Sequence, residues 1–549
     1  MLSQLNLKAD DFPGTKHKKV YHIALWTVIA IGAFIRLYHY FYNRSLWEDE
    51  IYLSAGIVNK SLVEILTRPL PYLQKAPLGY LLVSRFCVWV FGNHEMALRL
   101  YPLICGLLSL FLFVPVARYY LKPLGVVVGL AMLAFSPPII YHNVEAKPYG
   151  TELLATLIVL WLFIKYQNQT HWRKLLVWGI YGSIIVWFTY TAIFVLAATG
   201  ITLAISYTTK RNWKALIRMV VPGAMWLLSF AVSYFLYAKE GSESGWLVDF
   251  WQKHDGYIPL SPVPAAMWLL HRVFSFLHYP VGLSWYNDWS EHNVIKQILN
   301  RMAFGPLLFL ALGVPYFYKY NKRFLLLVGI AILITVSTSA LKLYPFHERL
   351  TVYLAPYIII LLASGCEAIV WPGLFVKVIR YILIALLLFG PFKNSLEQVI
   401  KPRLFADYKK SYQREALFYL QQHIHQGDAV YIHRTDIPGY TFYKSIYPLH
   451  FNAVLGHDFR NTTSNFKDYL LKTDAELKSL HAKRIWIVYN TLDAKVGEYV
   501  DMPQWYYRNH DGMERLEKHL NQLGRKVDEF RPTDGRLKSD VSVLLIELH

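Results

Sequence analysis

From about His22 to Gly390 the chain returns again and again to apolar stretches approaching the ~20 residues a helix needs to cross the hydrocarbon of a bilayer. In hydrocarbon every backbone N–H and C=O must be satisfied within the chain, so such stretches fold as helices. This pattern excludes an ordinary soluble enzyme, and a hydrophobic content of 55% agrees with it. The net charge is +19. Its Lys and Arg fall mainly between the apolar runs and in the C-terminal part, which fits membrane topology and contact with anionic membrane lipid, not nucleic acid. The three cysteines, Cys87, Cys105 and Cys366, all lie in apolar context, so neither a disulfide framework nor a cysteine metal site is expected.

The positive-inside rule threads the spans. Residues 1–20 carry Lys8, Lys16, Lys18 and Lys19 and read as a cytoplasmic N-terminus; no small-residue cleavage site follows, so the first apolar run reads as a retained span. That span, about His22–Tyr40, leaves the acidic stretch Leu46-Trp47-Glu48-Asp49-Glu50 on the outer side. Pro77–Phe91 is apolar but short and contains Arg85, so it reads as a helix in the membrane interface. Treating it as a span would turn Arg118/Lys122, Lys210/Arg211 and Lys319/Lys322/Arg323 outward, against the charge rule. The result is a polytopic α-helical membrane protein of about eleven spans over residues 21–391. Later spans include Ala97–Ala117, Leu124–Tyr141, Thr151–Tyr166, Met302–Tyr318 and Leu350–Val370. The long outer loop 239–298 holds Trp246, Trp251, His254, Asp255, Trp268, His271, His278, Trp285, Asp288 and Trp289, either an aromatic interface belt or a sugar-stacking surface. Residues 263–279 within it look amphipathic. Residues 392–549 differ in kind. Strand patterns at Ala429–Ile432, Arg484–Tyr489 and Val541–Glu547, with helical periodicity at Tyr412–Ile424 and Met513–Leu523, predict a small extracytoplasmic α/β domain.

The three outer loops near Asp49, Glu145 and Arg349 share one face in this threading. Carboxylates at a bilayer surface can take a proton from a hydroxyl or hold a cation, which makes Asp49, Glu50 and Glu145 the catalytic candidates. Lys75, Arg349, Arg36, Arg99 and His347 lie at a similar depth and are candidates for holding a lipid phosphate. Arg36 and Arg99 could equally snorkel to the interface, and Glu145 could simply pair with Lys147. Together these groups suggest transfer from a polyisoprenoid or phospholipid phosphate. No Walker loop, HExxH or GxSxG in a plausible context is present. The sequons at Asn43, Asn168 and Asn461 read as chance, since a glycan on Asn43 would crowd Asp49.

The chain resembles the GT-C polyprenyl-phosphate-sugar glycosyltransferases: the bacterial family-39-like enzymes, the aminoarabinose transferases of lipid A and the protein O-mannosyltransferases. The resemblance lies in Arg36 followed by Trp47-Glu48-Asp49-Glu50, then Gln74-Lys75-Ala76-Pro77-Leu78-Gly79-Tyr80, Phe91–Arg99, Glu145-Ala146-Lys147-Pro148-Tyr149, and Tyr344-Pro345-Phe346-His347-Glu348-Arg349. It covers residues 20–390. It implies a polyprenyl-phosphate-sugar donor, a glycan, lipid or protein acceptor, an inverting transfer on the outer face of the plasma (inner) membrane, and no nucleotide. Asp49 would be the general base or the acceptor-side carboxylate, and Glu145 the second acid; Lys75 and Arg349 would hold the donor phosphate with Arg36 and Arg99 in support, and Lys147 and Tyr149 would line the donor site. Asp49 and Glu145 are the candidates for holding a divalent cation, which the sequence neither requires nor excludes. One departure stands out. The aminoarabinose transferases carry an acidic residue before the lysine that Lys75 matches, and this chain has Gln74. The competing reading is a transporter or flippase of a lipid-linked glycan; it would place its site at the bilayer midplane with repeat symmetry, and the sequence shows no repeat.

Overall fold

The computed structural model describes residues 15–238, 245–285, 304–369, 373–406, 410–491, 503–507, 512–532 and 540–549. Lys8, Asp288 and Trp289 lie outside them, as does the side chain of Trp246. Among the described residues, eight helices are long and apolar enough to cross a membrane, or nine if one sharply bent pair counts as a span. The two other expected spans are helices too, Trp172–Val186 of 15 residues and Phe304–Tyr320 of 17. At 1.5 Å per residue the first reaches ~22 Å and the described part of the second ~26 Å. Leu78–Phe91 is a helix of 14 residues, also too short to span. Its Arg85 donates to the carbonyls of Ile57 and Val58 at 3.2 and 2.8 Å, satisfying the C-terminal end of the Glu48–Asn59 helix.

The bent pair is Pro123–Phe135 and Pro137–Asn143, which meet at 62°. The sequence reading ran one continuous span through this point, Leu124–Tyr141. Ser136-Pro137-Pro138 explains the break: a residue before proline is pushed out of the helical region, and Ser136 sits at φ −67°, ψ 113°. The carbonyls stranded by the break are taken by Arg36. Its guanidinium is fully buried and donates to Leu133 O, Ala134 O, Gly32 O and Asn143 Oδ1 at 2.8–3.1 Å. The short second arm packs tightly into the bundle. A Cβ on Gly106 would lie 2.3 Å from Asn143 Cγ, so this close approach requires glycine.

The C-terminal part is an α/β domain built on a five-stranded sheet, order β2-β1-β3-β5-β4, with β1 Ala429–Ile432, β2 Val454–Leu455, β3 Arg484–Asn490, β4 Gly524–Phe530 and β5 Val541–Leu548. β2, β1 and β3 run parallel, while β5 is antiparallel to both β3 and β4. This domain shares a core with the helical part. Leu46, Ile51, Leu53, Tyr80 and Ala146 belong to the same buried cluster as Leu417, Phe442, Tyr443, Trp486, Val543 and Leu545. Polar contacts close the joint. Leu46 N donates to Tyr443 OH (2.8 Å), Ser45 Oγ to Glu415 (2.6 Å), and Arg414 bridges Glu95 and the Asn43 carbonyl at 2.8 Å each.

Candidate active site

The acidic stretch opens the Glu48–Asn59 helix, where carboxylates in the first turn are favoured by the helix dipole. Consecutive helical residues point about 100° apart, so Asp49 and Glu50 cannot share an environment. Glu50 turns inward and is fully buried. Arg99 grips it through two nitrogens at 3.0 and 2.9 Å, Arg44 NH1 lies at 2.8 Å, and the Ala146 N–H donates at 2.7 Å. Burial works to raise this carboxyl, but Arg44 and Arg99 outweigh it and hold it below the usual carboxylate range. Glu50 and Arg99 therefore act as a structural tie. They fasten the acidic helix to the Glu95–Tyr120 helix and to the Glu145 loop.

Glu145 is also fully buried. Its Oε1 accepts from Trp47 Nε1 and Tyr141 OH, both at 3.1 Å, and Oε2 lies 2.7 Å from His142 Nδ1. The other ring nitrogen of His142 is bonded to Tyr279 OH. The carboxylate thus orients Trp47, whose indole covers the neighbouring carboxylate's partner. Sequence reasoning missed Trp47, Arg44, His142 and Tyr279 as members of the site. Trp47 stood in the acidic stretch and in the motif but was given no role of its own.

Asp49 faces the other way. It is paired with Arg349, NH2 to Oδ2 at 2.8 Å, with the two side chains 7% and 14% exposed. This is the most accessible ion pair in the acidic centre, since the Glu50–Arg99 pair is 0% and 2% exposed. The Arg349 guanidinium lies 5.5 Å from the Trp47 ring and 5.9 Å from the Tyr149 ring, held between two aromatic faces. Lys147 is buried nearby and donates to Gln74 Oε1 at 2.8 Å. Burial pulls its ammonium below the ordinary lysine value, and Asp49 works against that. Gln74 is the position that departs from the aminoarabinose transferases. As an amide it holds Lys147 without neutralising it, so positive charge is retained beside Asp49. Lys75 is half-buried next to it.

Two of the expected donor-site residues are engaged elsewhere. Arg36 caps the broken helix with four hydrogen bonds. His347 does not join Arg349: it packs on Trp251 with ring centroids 5.3 Å apart, its buried Nδ1 has no partner, and burial pushes its imidazole down to about 4. Trp251 and Trp268 are likewise buried, Trp268 against Phe346, so these two indoles pack the core under the Arg349 loop. Among the described residues no group of three or more His, Cys, Asp or Glu side chains is placed to hold a metal ion.

Comparison with known proteins agrees with this architecture. Residues 74–236 match the family model of dolichyl-phosphate-mannose-protein mannosyltransferases. No curated protein matches by sequence. Among solved structures, the fold is similar to apo ArnT from Cupriavidus metallidurans, at 12% identity and a TM-score of 0.52, over 96% of this chain and 98% of that one. Two further matches are weaker. Archaeal oligosaccharyltransferase AglB from Archaeoglobus fulgidus, in complex with an inhibitory peptide and a dolichol-phosphate, has 12% identity, TM-score 0.46 and coverage of 94% and 74%. ArnT bound to undecaprenyl phosphate has 11%, 0.48, and 96% and 98%. The chain is thus a polytopic membrane protein with the GT-C fold, the fold of the polyprenyl-phosphate-sugar glycosyltransferases.

Proposed function

We propose that the protein is a membrane glycosyltransferase that moves a sugar from a polyprenyl-phosphate donor to a hydroxyl of an extracytoplasmic glycan, lipid or protein, with inversion at the anomeric carbon. The observation that carries this reading is the Asp49–Arg349 pair. It joins a carboxylate of the acidic helix that is less deeply sealed than Glu50 to a partly exposed guanidinium, with the Lys147 ammonium within electrostatic reach of both. In the proposed step the acceptor hydroxyl oxygen attacks the anomeric carbon and its proton passes to Asp49. The bond from that carbon to the phosphate oxygen breaks, and the polyprenyl phosphate leaves with the bonding pair. Arg349, Lys75 and Lys147 stabilise the charge gained by the phosphate, Arg349 by its planar fork. The transfer needs no divalent cation in this scheme, because phosphate is a competent leaving group and the cations are already supplied by side chains.

The transporter reading gains one feature, the broken helix pair, since discontinuous helices line transporter sites. That break is filled by Arg36, which leaves its carbonyls no role in holding an ion.

The test is transfer of radiolabelled sugar from synthetic polyprenyl-phosphate donors to an envelope extract, comparing wild type with Asp49→Asn and repeating the assay in EDTA. Wild type incorporates label, the variant loses ~10²-fold or more, as expected on removing a general base, and EDTA leaves the rate unchanged. Equal label in wild type and variant removes Asp49 from the mechanism; loss of label in EDTA overturns the metal-free scheme.

A further inference from the structure

Three residues beyond Tyr149, on the same side of the Tyr149–Tyr166 helix, stands a carboxylate that the mechanism above does not use. Glu152 is 4% exposed and its Oε2 has no hydrogen-bond partner. A carboxylate in apolar surroundings without a donor is costly, and ionisable groups within membrane segments mark functional places. Its polar neighbours are the hydroxyls of Tyr149, Tyr344 and Tyr353. Two of these are already engaged: Tyr344 donates to Leu350 O at 2.9 Å, and Tyr353 shares a hydrogen bond with Thr335 Oγ1 at 2.6 Å. Tyr149 is within electrostatic reach of Arg349, Glu145, Asp49 and Glu152 together, so it links the acidic centre to this deeper carboxylate.

A buried carboxyl oxygen left open in this way is satisfied by a polar group of a bound ligand, and a polyisoprenoid chain has none. A sugar carried on a phosphate held at Arg349 supplies hydroxyls. We propose that Glu152 is a specificity-determining residue that accepts a hydrogen bond from a hydroxyl of the glycosyl unit of the donor. This rests on the reading of the protein as a polyprenyl-phosphate-sugar transferase.

The test uses the full-length protein in lipid nanodiscs. Binding is measured for undecaprenyl phosphate and for undecaprenyl phosphate carrying mannose, glucose, galactose or N-acetylglucosamine, with wild type, Glu152→Gln and Glu152→Leu. Wild type binds at least one glycosylated lipid tenfold or more tightly than the bare phosphate lipid. Glu152→Leu loses that preference but keeps its affinity for the bare lipid within twofold, while Glu152→Gln, which retains an acceptor oxygen, keeps most of it. The ligand-free Glu152→Leu protein melts at a higher temperature than wild type, because an orphaned carboxylate has been removed. If wild type binds neither kind of lipid, the transferase reading itself fails. If it binds bare lipid but shows no preference for a glycosylated one, or if the leucine variant keeps the preference, Glu152 has no part in sugar recognition. Equal loss for both lipids makes its role structural.

Discussion

Asp49 and Glu50 leave the same helical turn and end in opposite circumstances. Glu50 is sealed between Arg99 and Arg44, whereas Asp49 meets Arg349 at the edge of the site. Breaking a buried ion pair from one side strands the other charge, at a cost of ~3–5 kcal/mol. Glu50→Gln, which leaves two arginines without their anion, is therefore expected to lower thermal stability sharply, while Asp49→Asn changes it little; paired melting curves in detergent check this. Their adjacency made both acids look alike in the sequence. What separates them is supplied by Arg44 and Arg99, one from the loop before and one from the Glu95–Tyr120 helix, and no local pattern announces that pairing. His347 shows the same limit in reverse. It sits two positions from Arg349, yet that offset turns it toward Trp251, where burial makes it neutral.

At the scale of elements, the break at Ser136-Pro137-Pro138 does more than bend a span. It lets Asn143 and Glu145 turn into the bundle, and Arg36 holds the two arms by accepting no substitute for its fork-shaped donor set. Arg36→Met should strand the carbonyls of Leu133 and Ala134 and release Asn143, lowering the melting temperature and abolishing sugar transfer together. Arg36→Lys should recover only part of both, since an ammonium cannot reproduce the planar guanidinium. Helices were the most legible feature of the sequence, because hydrophobic length declares them, and every expected span among the described residues is helical. The break was written in Ser136-Pro137-Pro138 but was read through, because the apolar run resumes directly beyond it and its total length matches one span. Arg36, matched by resemblance to a donor-site group, is committed instead to backbone carbonyls, a role visible only once the break is seen.

On the scale of the whole molecule, the C-terminal domain is joined to the acidic helix through one core and a short polar seam at residues 411–415. Asp540 lies at that seam, accepting from the Tyr412 N–H at 3.3 Å, and burial pushes its carboxyl up from 3.8 to about 7. The folded protein thus keeps a proton that the unfolded chain releases. The resulting stabilisation is complete below about pH 3.8, declines as pH rises and is gone above about pH 7. Hydrogen-exchange protection of the Gln413–His423 helix, taken relative to the intrinsic exchange rate at each pH, should be greater at pH 5 than at pH 8, and Asp540→Asn should flatten the difference. The α/β character of this domain was legible in its short β-branched runs. Its fusion with the acidic centre was not, because Leu46 and Leu545 are separated by nearly the whole chain.

That separation has a consequence for the order in which the protein comes into being. The acidic helix is made long before the strand that helps to seat it, since their shared core includes Val541, Val543 and Leu545. Until those residues are in place, Leu46, Ile51 and Leu53 lack part of their packing. The apolar helices can therefore form before the carboxylates are organised, and docking of the C-terminal sheet is the step that sets the acidic centre.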